Sequence, residues 1–178
     1  KAISKGIGFV TEDRKGQGLA MQLDVAANIT AANLSAVTKT GLIDRRLENE
    51  IAREEIANYR IACRGPGTNV ATMSGGNQQK VIVARWARTS RKVLILDEPT
   101  RGVDVGAKTE IYRIMRNLAD QGIGILMISS ELPEVVGMAD RVVVMREGVV
   151  SGQLVGDAIT EEAIMSLATQ HPTEAAAA

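Results

Sequence analysis

The chain has 178 residues, 21 basic and 21 acidic side chains, and an aromatic content of 2%. Its balanced charge and few aromatic rings argue against nucleic acid as a partner, because phosphate binding needs a basic surface and base stacking needs aromatic side chains. The single cysteine, Cys63, excludes an internal disulfide and is typical of a reducing compartment. No apolar run approaches the length of about 20 residues that a membrane-spanning helix needs.

The first predicted element is a short apolar strand, Ile7 to Val10. A charged, glycine-rich loop follows from Thr11 to Gly18. On composition alone, an ordinary solvated surface loop and a functional loop are equally good interpretations of this stretch.

A small helical subdomain is predicted over residues 24–66. Asp24 can cap a helix that runs to about Leu34, and Asp44–Arg60 is rich in helix formers with apolar residues at helical spacing. The turn RGPG at residues 64–67 ends this segment.

The next stretch, Met73 to Lys80, reads MSGGNQQK. Ser74 can cap a helix, which leaves the backbone amides of Gly75, Gly76 and Asn77 without intrahelical partners. Those amides, the positive end of the helix dipole and the serine hydroxyl together suit a phosphate group. Taken alone, the stretch is also compatible with an ordinary serine-capped helix.

The stretch from Val93 to Thr100 reads VLILDEPT, four apolar residues followed by two carboxylates. The pattern predicts a buried parallel strand with Asp97 and Glu98 at its carboxyl end, where α/β sheets bind ligands. Asp97 is placed to hold Mg²⁺ through water, and Glu98 is placed to polarise an attacking water. An acidic strand end alone is often only the start of a loop, but the serine–glycine stretch upstream makes the pattern more specific.

The remaining sequence alternates between helical and strand patterns, which indicates an α/β fold. The tail from residue 170, which ends in four alanines, is expected to be disordered or artificial. The other predicted elements are a helix over 107–118, a buried strand over 123–128, a short helix over 131–139, hairpin strands at 141–145 and 149–153, and a helix that Thr160 caps and that ends at Leu167.

MSGGNQQK and VLILDEPT resemble the signature motif and the Walker B strand of the ABC-type ATPases, and RGVD, ending at Asp104, falls where that family has its D-loop. The resemblance extends from Gly6 to about Leu167. DEPTRGVDVGAK, with SSELPEV further on, looks most like the second ATPase half of duplicated importers of ribose, galactose or xylose. The resemblance implies a partial P-loop NTPase fold, with a mostly parallel sheet and a helical subdomain.

The resemblance also implies ATP and Mg²⁺ as cofactors. Because ABC domains pair head to tail, the signature motif of this chain would serve the ATP of a second ATPase half. The implied domains are a Q-loop-like start over 1–23, the helical subdomain over 24–66, the ATPase core over 67–169 and the tail over 170–178. The implied site residues are Ser74, Gly75, Gly76, Asn77, Asp104 and Glu12 for the nucleotide, Asp97 for the metal, and Glu98 and Ser130 for catalysis.

The chain departs from the family pattern in three ways. The phosphate-binding motif GxxxxGK[ST] occurs nowhere, so the chain resembles a fragment without the Walker A region and is expected to bind ATP poorly by itself. Glu12 stands where the family has a glutamine, and an ionised carboxylate cannot donate a hydrogen bond. Ser130 stands where the family has a histidine, and a hydroxyl carries no positive charge.

The favoured hypothesis is an ATP-hydrolysing subunit that powers import of a monosaccharide at the cytoplasmic face of a bacterial inner membrane. Its implied partners are a second ATPase half, transmembrane permease subunits and, indirectly, a periplasmic sugar-binding protein. Three alternatives remain open at this point. They are an importer of nucleosides or other small solutes, a soluble ABC ATPase of translation or DNA repair, and a regulatory half that does not hydrolyse ATP.

Overall fold

The structure is a computed structural model that describes residues 2–90 and 92–169. The chain divides into two compact units, one up to Ile128 and one from Ser129 onward. The predicted tail, 170–178, lies outside the described residues, and the domain boundaries proposed from the sequence stay a prediction. None of the helices in the described part of the chain is both long enough and apolar enough to cross a bilayer.

The first unit combines a small sheet with helices. A π-helical turn, Arg14–Gly18, follows its first strand. In chain order its regular elements are β1 (Ile7–Val10), α1 (Val25–Thr30), β2 (Thr38–Lys39), β3 (Leu42–Ile43), α2 (Arg45–Asn58), α3 (Gly75–Thr89), β4 (Val93–Asp97), α4 (Val105–Asp120) and β5 (Gly124–Ile128).

The three-stranded sheet of the first unit is parallel, with the strand order β1–β4–β5. This confirms the parallel arrangement expected for VLILDEPT. The buried side chains Val10, Leu94 and Leu96 point to one face, and α3 packs on β1 while α4 packs on β5. The carboxyl ends of the strands therefore meet at one edge, beside Asp97.

The opposite face of this sheet is exposed, which corrects the prediction that β5 is a buried strand. Phe9 is 44% exposed and Leu126 is 54% exposed, and β5 alternates between exposed and half-buried residues. A parallel strand is buried on both faces only when helices cover both faces. The described residues cover only one face of β5. Its hydrophobic sequence could not indicate whether one face or both would be covered.

The segment predicted to be helical contains α1 and α2 as expected, together with a small hairpin that the sequence analysis missed. Asp24 caps α1 by accepting a hydrogen bond from the amide of Ala27 at 2.9 Å, but the helix ends at Thr30. Strands β2 and β3 follow, joined by Thr40 and Gly41, which have φ angles of +50° and +85°. Such angles favour a two-residue hairpin turn, and the Thr-Gly pair was the available signal.

The second unit consists of a short helix, a hairpin and a last helix. Its elements are α5 (Leu132–Met138), β6 (Arg141–Arg146), β7 (Val149–Val155) and α6 (Glu161–Thr169). The hairpin and its turn are confirmed, since Glu147 and Gly148 have positive φ angles of +49° and +82° between paired strands. The hydroxyl of Thr160 caps α6 by accepting from the amide of Ala163 at 3.1 Å, as predicted.

Candidate nucleotide-binding site

Ser74 lies at the N-cap of α3, as the sequence predicted. Its hydroxyl oxygen accepts a hydrogen bond from the side-chain amide of Asn77 at 2.9 Å, and the backbone amide of Asn77 lies 3.5 Å away. Within the part of the chain that the structure describes, the backbone amides of Gly75 and Gly76 donate no hydrogen bond. The start of α3 therefore presents unpaired donors at the positive end of a helix dipole.

Asn77 connects this helix start to the loop before it. Its side-chain oxygen accepts a hydrogen bond from the amide of Ala62 at 2.8 Å, while its side-chain nitrogen is used by Ser74. An open cleft of about 900 Å³ lies beside these residues. It is lined by residues 62–69, 72–74 and 77. Asn77 thus has a structural role at the cleft in addition to its expected contact with nucleotide.

The two glycines of the signature stretch have packing roles that the sequence analysis did not foresee. A Cβ atom on Gly76 would lie 2.5 Å from the Cβ of Ala107, so α3 and α4 can approach closely only because this side chain is absent. A Cβ atom on Gly75 would lie 3.2 Å from both the Arg14 Nη2 nitrogen and the Gly102 oxygen. Close packing of α3 against α4 therefore requires a glycine at position 76, whereas a side chain at position 75 would require its neighbours to shift by only a few tenths of an ångström.

Asp97 and Glu98 lie where the sequence predicted, at the carboxyl end of β4. Both residues are half-buried. Glu98 has a positive φ of +46° and donates its amide hydrogen to the backbone oxygen of Ile128 at 2.9 Å. A left-handed conformation at a residue other than glycine typically costs about 1–3 kcal/mol and is often found at functional sites. The bond to β5 keeps Glu98 in this strained conformation.

The chemistry of Asp97 fits Mg²⁺. In the described residues no cluster of three or more histidine, cysteine or acidic side chains could hold a metal by itself. Mg²⁺ is commonly bound by one or two carboxylates together with phosphate oxygens and waters, so one half-buried carboxylate suffices.

Glu12, which the resemblance placed near the nucleotide, forms an ion pair with Arg101. Both side chains are exposed, at 44% and 66%. Two residues further on, Arg14 Nη2 donates a hydrogen bond to the backbone oxygen of Gly102 at 3.3 Å. The loop after β1 is therefore joined to the loop after β4, a connection that the sequence did not reveal.

Asp104 begins the helix that follows this loop. Its carboxylate accepts a hydrogen bond from the amide of Ala107 at 2.9 Å and so caps α4. The cap explains why an aspartate suits this place whether or not it also contacts nucleotide.

Ser130 belongs to the second unit and is exposed. Its neighbour Ser129 donates from its hydroxyl to Glu134 at 2.5 Å and accepts a hydrogen bond from the amide of Glu131 at 3.1 Å. Ser129 thus anchors the start of α5. The catalytic role assigned to Ser130 stays a prediction.

The sequence analysis missed a buried arginine on α3. Arg85 donates hydrogen bonds to the backbone oxygens of Asn28 and Gly18 and to the side-chain oxygen of Asn28. Burial lowers the pKa of Arg85 to about 10. A basic residue inside the apolar run VIVARWA was the available signal, since a buried cation needs several acceptors. Arg85 joins α3 to α1 and to the end of the Arg14–Gly18 turn.

Comparison with known proteins gives matches over nearly the whole chain. The family model described as "ABC transporter" matches residues 1–101. The chain is 51% identical to the ribose import ATP-binding protein RbsA of Bacillus licheniformis, over 94% of this chain and 34% of that protein. It is 53% identical to the protein of the same name from Yersinia pestis, over 95% of this chain and 33% of that protein. The chain thus spans about one third of the length of these relatives.

Two solved structures show the fold. One is a dimeric ATP-binding cassette in a post-hydrolysis state, bound to ADP and Pi, with a TM-score of 0.69 and 19% identity over 84% of this chain and 62% of that one. The other is an ATP-binding cassette of an ABC transporter in its ADP conformation, with a TM-score of 0.69 and 22% identity over 92% of this chain and 65% of that one. The α/β class and the mostly parallel sheet predicted from the sequence are therefore confirmed.

Proposed function

Because the chain belongs to the ABC transporter family of ATP-binding proteins, we propose that it is part of an ATP-hydrolysing subunit that powers import of a monosaccharide. The proposed substrate is a sugar of the ribose class, and the support is the identity of 51% and 53% to proteins named for ribose import. The proposed cofactors are ATP and Mg²⁺.

The single observation that carries the proposal is the helix start at Ser74. The serine hydroxyl and the unpaired amides of Gly75 and Gly76 form a group of donors that suits the terminal phosphates of ATP. The chain contains no GxxxxGK[ST] motif. We therefore infer that these donors act on ATP whose other phosphate contacts come from a second ATPase half, arranged head to tail.

A second set of residues would act at the carboxyl end of β4. Asp97 would hold Mg²⁺, which supplies positive charge against the phosphates, and Glu98 would accept a hydrogen bond from the attacking water and orient it. Glu12 is paired with Arg101, and Ser130 carries no charge. This second set therefore has weaker helpers than a site with glutamine and histidine at those places.

The proposed partners follow from the same family membership. They are a second ATPase half, transmembrane permease subunits and, indirectly, a periplasmic sugar-binding protein. We place the subunit at the cytoplasmic face of the bacterial membrane, with the loop from Glu12 to Gly18 against the permease. Permease contact and stimulation of ATP hydrolysis by the loaded binding protein would distinguish this proposal from a soluble ABC ATPase.

The test uses the complete subunit, assembled with its permease in vesicles. Ser74→Arg should lower ATP hydrolysis by about two to three orders of magnitude, the usual effect of removing preorganised donors from developing phosphate charge. The matched control is Ala71→Arg, which adds the same side chain at an exposed residue three positions upstream. Hydrolysis that survives Ser74→Arg would contradict the proposal.

Glu98→Gln in the same assembly reports on the second set of residues. We expect it to reduce hydrolysis less than Ser74→Arg does, because Glu12 and Ser130 already weaken that site. If Glu98→Gln is the more damaging change, the site of this chain is the main hydrolytic site. If neither change matters, the chain does not act in ATP hydrolysis.

A further inference from the structure

The hydroxyl oxygen of Ser74 faces two donors that both belong to Asn77. The side-chain nitrogen of Asn77 donates to this oxygen at 2.9 Å, and the backbone nitrogen of Asn77 lies 3.5 Å from it. A serine oxygen has two lone pairs and one hydrogen, and an N–H group can only donate. The two N–H groups therefore use the lone pairs. The hydroxyl hydrogen of Ser74 is left without an acceptor among the described residues.

The orientation of the Asn77 side chain is fixed by the loop that follows α2. The backbone amide of Ala62 donates to the side-chain oxygen of Asn77 at 2.8 Å. Because a backbone N–H cannot accept a hydrogen bond, the atom that it meets must be the oxygen, and the nitrogen is turned toward Ser74. We call these two hydrogen bonds, Ala62 to Asn77 and Asn77 to Ser74, the amide relay.

The turn that carries Ala62 is itself held against α3. The ammonium group of Lys80, whose side chain is 5% exposed, donates to the backbone oxygen of Arg60 at 3.0 Å. Ile61 is buried. Arg60 has a positive φ of +48°, a conformation that a residue other than glycine keeps only when its surroundings hold it there. The first donor of the amide relay therefore has a fixed position relative to α3.

The direction of the Ser74 hydrogen decides what the serine offers to an anion. A hydroxyl that points its hydrogen outward attracts a phosphate oxygen, whereas one that points a lone pair outward repels it. Donors that are oriented in advance stabilise developing negative charge without reorganising during the reaction. Ser74 stands next to the unpaired amides of Gly75 and Gly76, so its hydrogen adds a third donor to that group.

We propose that Asn77 is a positioning residue that fixes the hydroxyl of Ser74 as a hydrogen-bond donor to phosphate. The amide relay keeps an N–H group directed at the serine oxygen, so the hydroxyl hydrogen points away from Asn77. Asn77 thus acts on the nucleotide through Ser74. The inference rests on the proposed function and assigns Asn77 a task within the same site.

Asn77→Asp tests the proposal by reversing one hydrogen bond of the amide relay. A carboxylate still accepts from the amide of Ala62 but cannot donate, so Ser74 must donate to it and present a lone pair to phosphate. In the complete subunit, assembled with its permease, kcat should fall about ten- to a hundred-fold, the usual effect of losing one hydrogen bond to a charged group. Thermal unfolding should show no loss of stability, because a carboxylate in the first turn of a helix interacts favourably with the helix dipole.

Ser74→Ala removes the group through which Asn77 is proposed to act. Alone, it should also lower kcat about ten- to a hundred-fold. In the Ser74→Ala background, the further loss caused by Asn77→Asp should be about ten-fold smaller than in the wild type, because the effects of residues in contact are not additive. The loss that remains measures repulsion between the added charge and phosphate.

The matched control is Asn33→Asp, which makes the same exchange at another asparagine bonded to a serine. The side-chain oxygen of Asn33 accepts from the hydroxyl of Ser35 at 2.7 Å, a hydrogen bond that a carboxylate keeps. This variant should leave kcat unchanged.

Three results would each overturn the inference. They are full activity of Asn77→Asp, equal fold-losses from Asn77→Asp in the wild type and in the Ser74→Ala background, and full activity of Ser74→Ala alone. Ser74→Arg, measured in parallel, separates the two ideas. If Ser74→Arg is inactive and the fold-losses are equal, only the positioning role of Asn77 fails, whereas an active Ser74→Arg overturns the proposed function itself.

Discussion

Arg85 and Asn28 form a two-point contact between α3 and α1. Arg85 donates from Nε to the backbone oxygen of Asn28 at 2.5 Å and from Nη2 to its side-chain oxygen at 2.8 Å. Asn28 is fully buried and also exchanges hydrogen bonds with the backbone of Ala20 at 2.9 and 3.1 Å. Arg85 thereby holds α3, whose start presents the unpaired amides of Gly75 and Gly76, against α1.

Replacement of this arginine tests whether its geometry matters beyond its charge. Arg85→Lys keeps the charge but cannot reach three acceptors at once, since an ammonium lacks the planar fork of a guanidinium. We expect the free energy of unfolding to fall by about 1–3 kcal/mol, as for a buried acceptor left without its donor. Urea unfolding measures the change, and Arg53→Lys on the exposed side of α2 is the control. Equal stability of the two variants would show that the contact does not hold α3 in place.

The contact between Gly76 and Ala107 leads to a second prediction. Gly76→Ala should lower the free energy of unfolding by about 1–3 kcal/mol, because the added methyl group overpacks the crossing of α3 and α4. Ala107→Gly in the same chain should restore part of the loss by returning the space. Gly106→Ala is the matched control: its Cβ would meet only an ordinary contact at 3.5 Å, so a helical alanine should be neutral or stabilising there. Thermal or urea unfolding of the wild type, Gly76→Ala, Gly76→Ala/Ala107→Gly and Gly106→Ala compares their stabilities and tests the prediction.

A third prediction concerns acid sensitivity at the pair Lys80–Glu110. The hydrogen bond from Lys80 lowers the pKa of Glu110 below its ordinary value of 4.5. Because the folded-state pKa is depressed, the stabilisation is present above pH 4.5 and is lost as pH falls through the folded-state value. Near neutral pH, Glu110→Gln should lower the free energy of unfolding by up to about 1 kcal/mol, since the glutamate side chain is partly screened by solvent.

The prediction for Lys80 and Glu110 is checked by measuring the free energy of unfolding over a range of pH. The difference between wild type and Glu110→Gln should shrink progressively below pH 4.5. Glu50→Gln, which breaks an exposed pair with Arg46 on one helix, should change stability less at neutral pH. A Glu110→Gln deficit that persists unchanged in acid would show that the loss comes from packing and not from charge.

The fourth prediction concerns the chain by itself. It contains no GxxxxGK[ST] motif, and the donors at Ser74 alone make too few phosphate contacts for tight binding. Calorimetry with the isolated chain should therefore show neither micromolar binding of ATP nor appreciable hydrolysis. A longer polypeptide that contains a GxxxxGK[ST] motif upstream is the positive control. Micromolar binding by the isolated chain would mean that its phosphate contacts are complete.

Local patterns in the sequence predicted the elements of the fold well. The predicted caps Asp24, Ser74 and Thr160 begin α1, α3 and α6, because each side chain meets a backbone amide only three residues ahead. The strand ending in Asp97 and the hairpin at Glu147 and Gly148 follow from equally short-range rules. Glu98 was placed correctly at the strand end, but its left-handed backbone depends on the hydrogen bond to Ile128.

The contacts between distant segments were decided only by the tertiary structure. Nothing in the charge of Glu12 indicates Arg101 as its partner, and Arg14 looks like any other basic loop residue until the fold brings Gly75 and Gly102 against it. The exposure of one face of β5 was also decided by the tertiary structure, because the hydrophobic sequence of a strand does not indicate whether one or both of its faces are covered. The sequence by itself determined the main helices and strands, the caps at Asp24, Ser74 and Thr160, and the acidic end of β4, all of which depend on neighbouring residues. The ion pair between Glu12 and Arg101 and the buried position of Arg85 depend on chain segments 57 to 89 residues apart, whose pairing is set by packing across the whole unit.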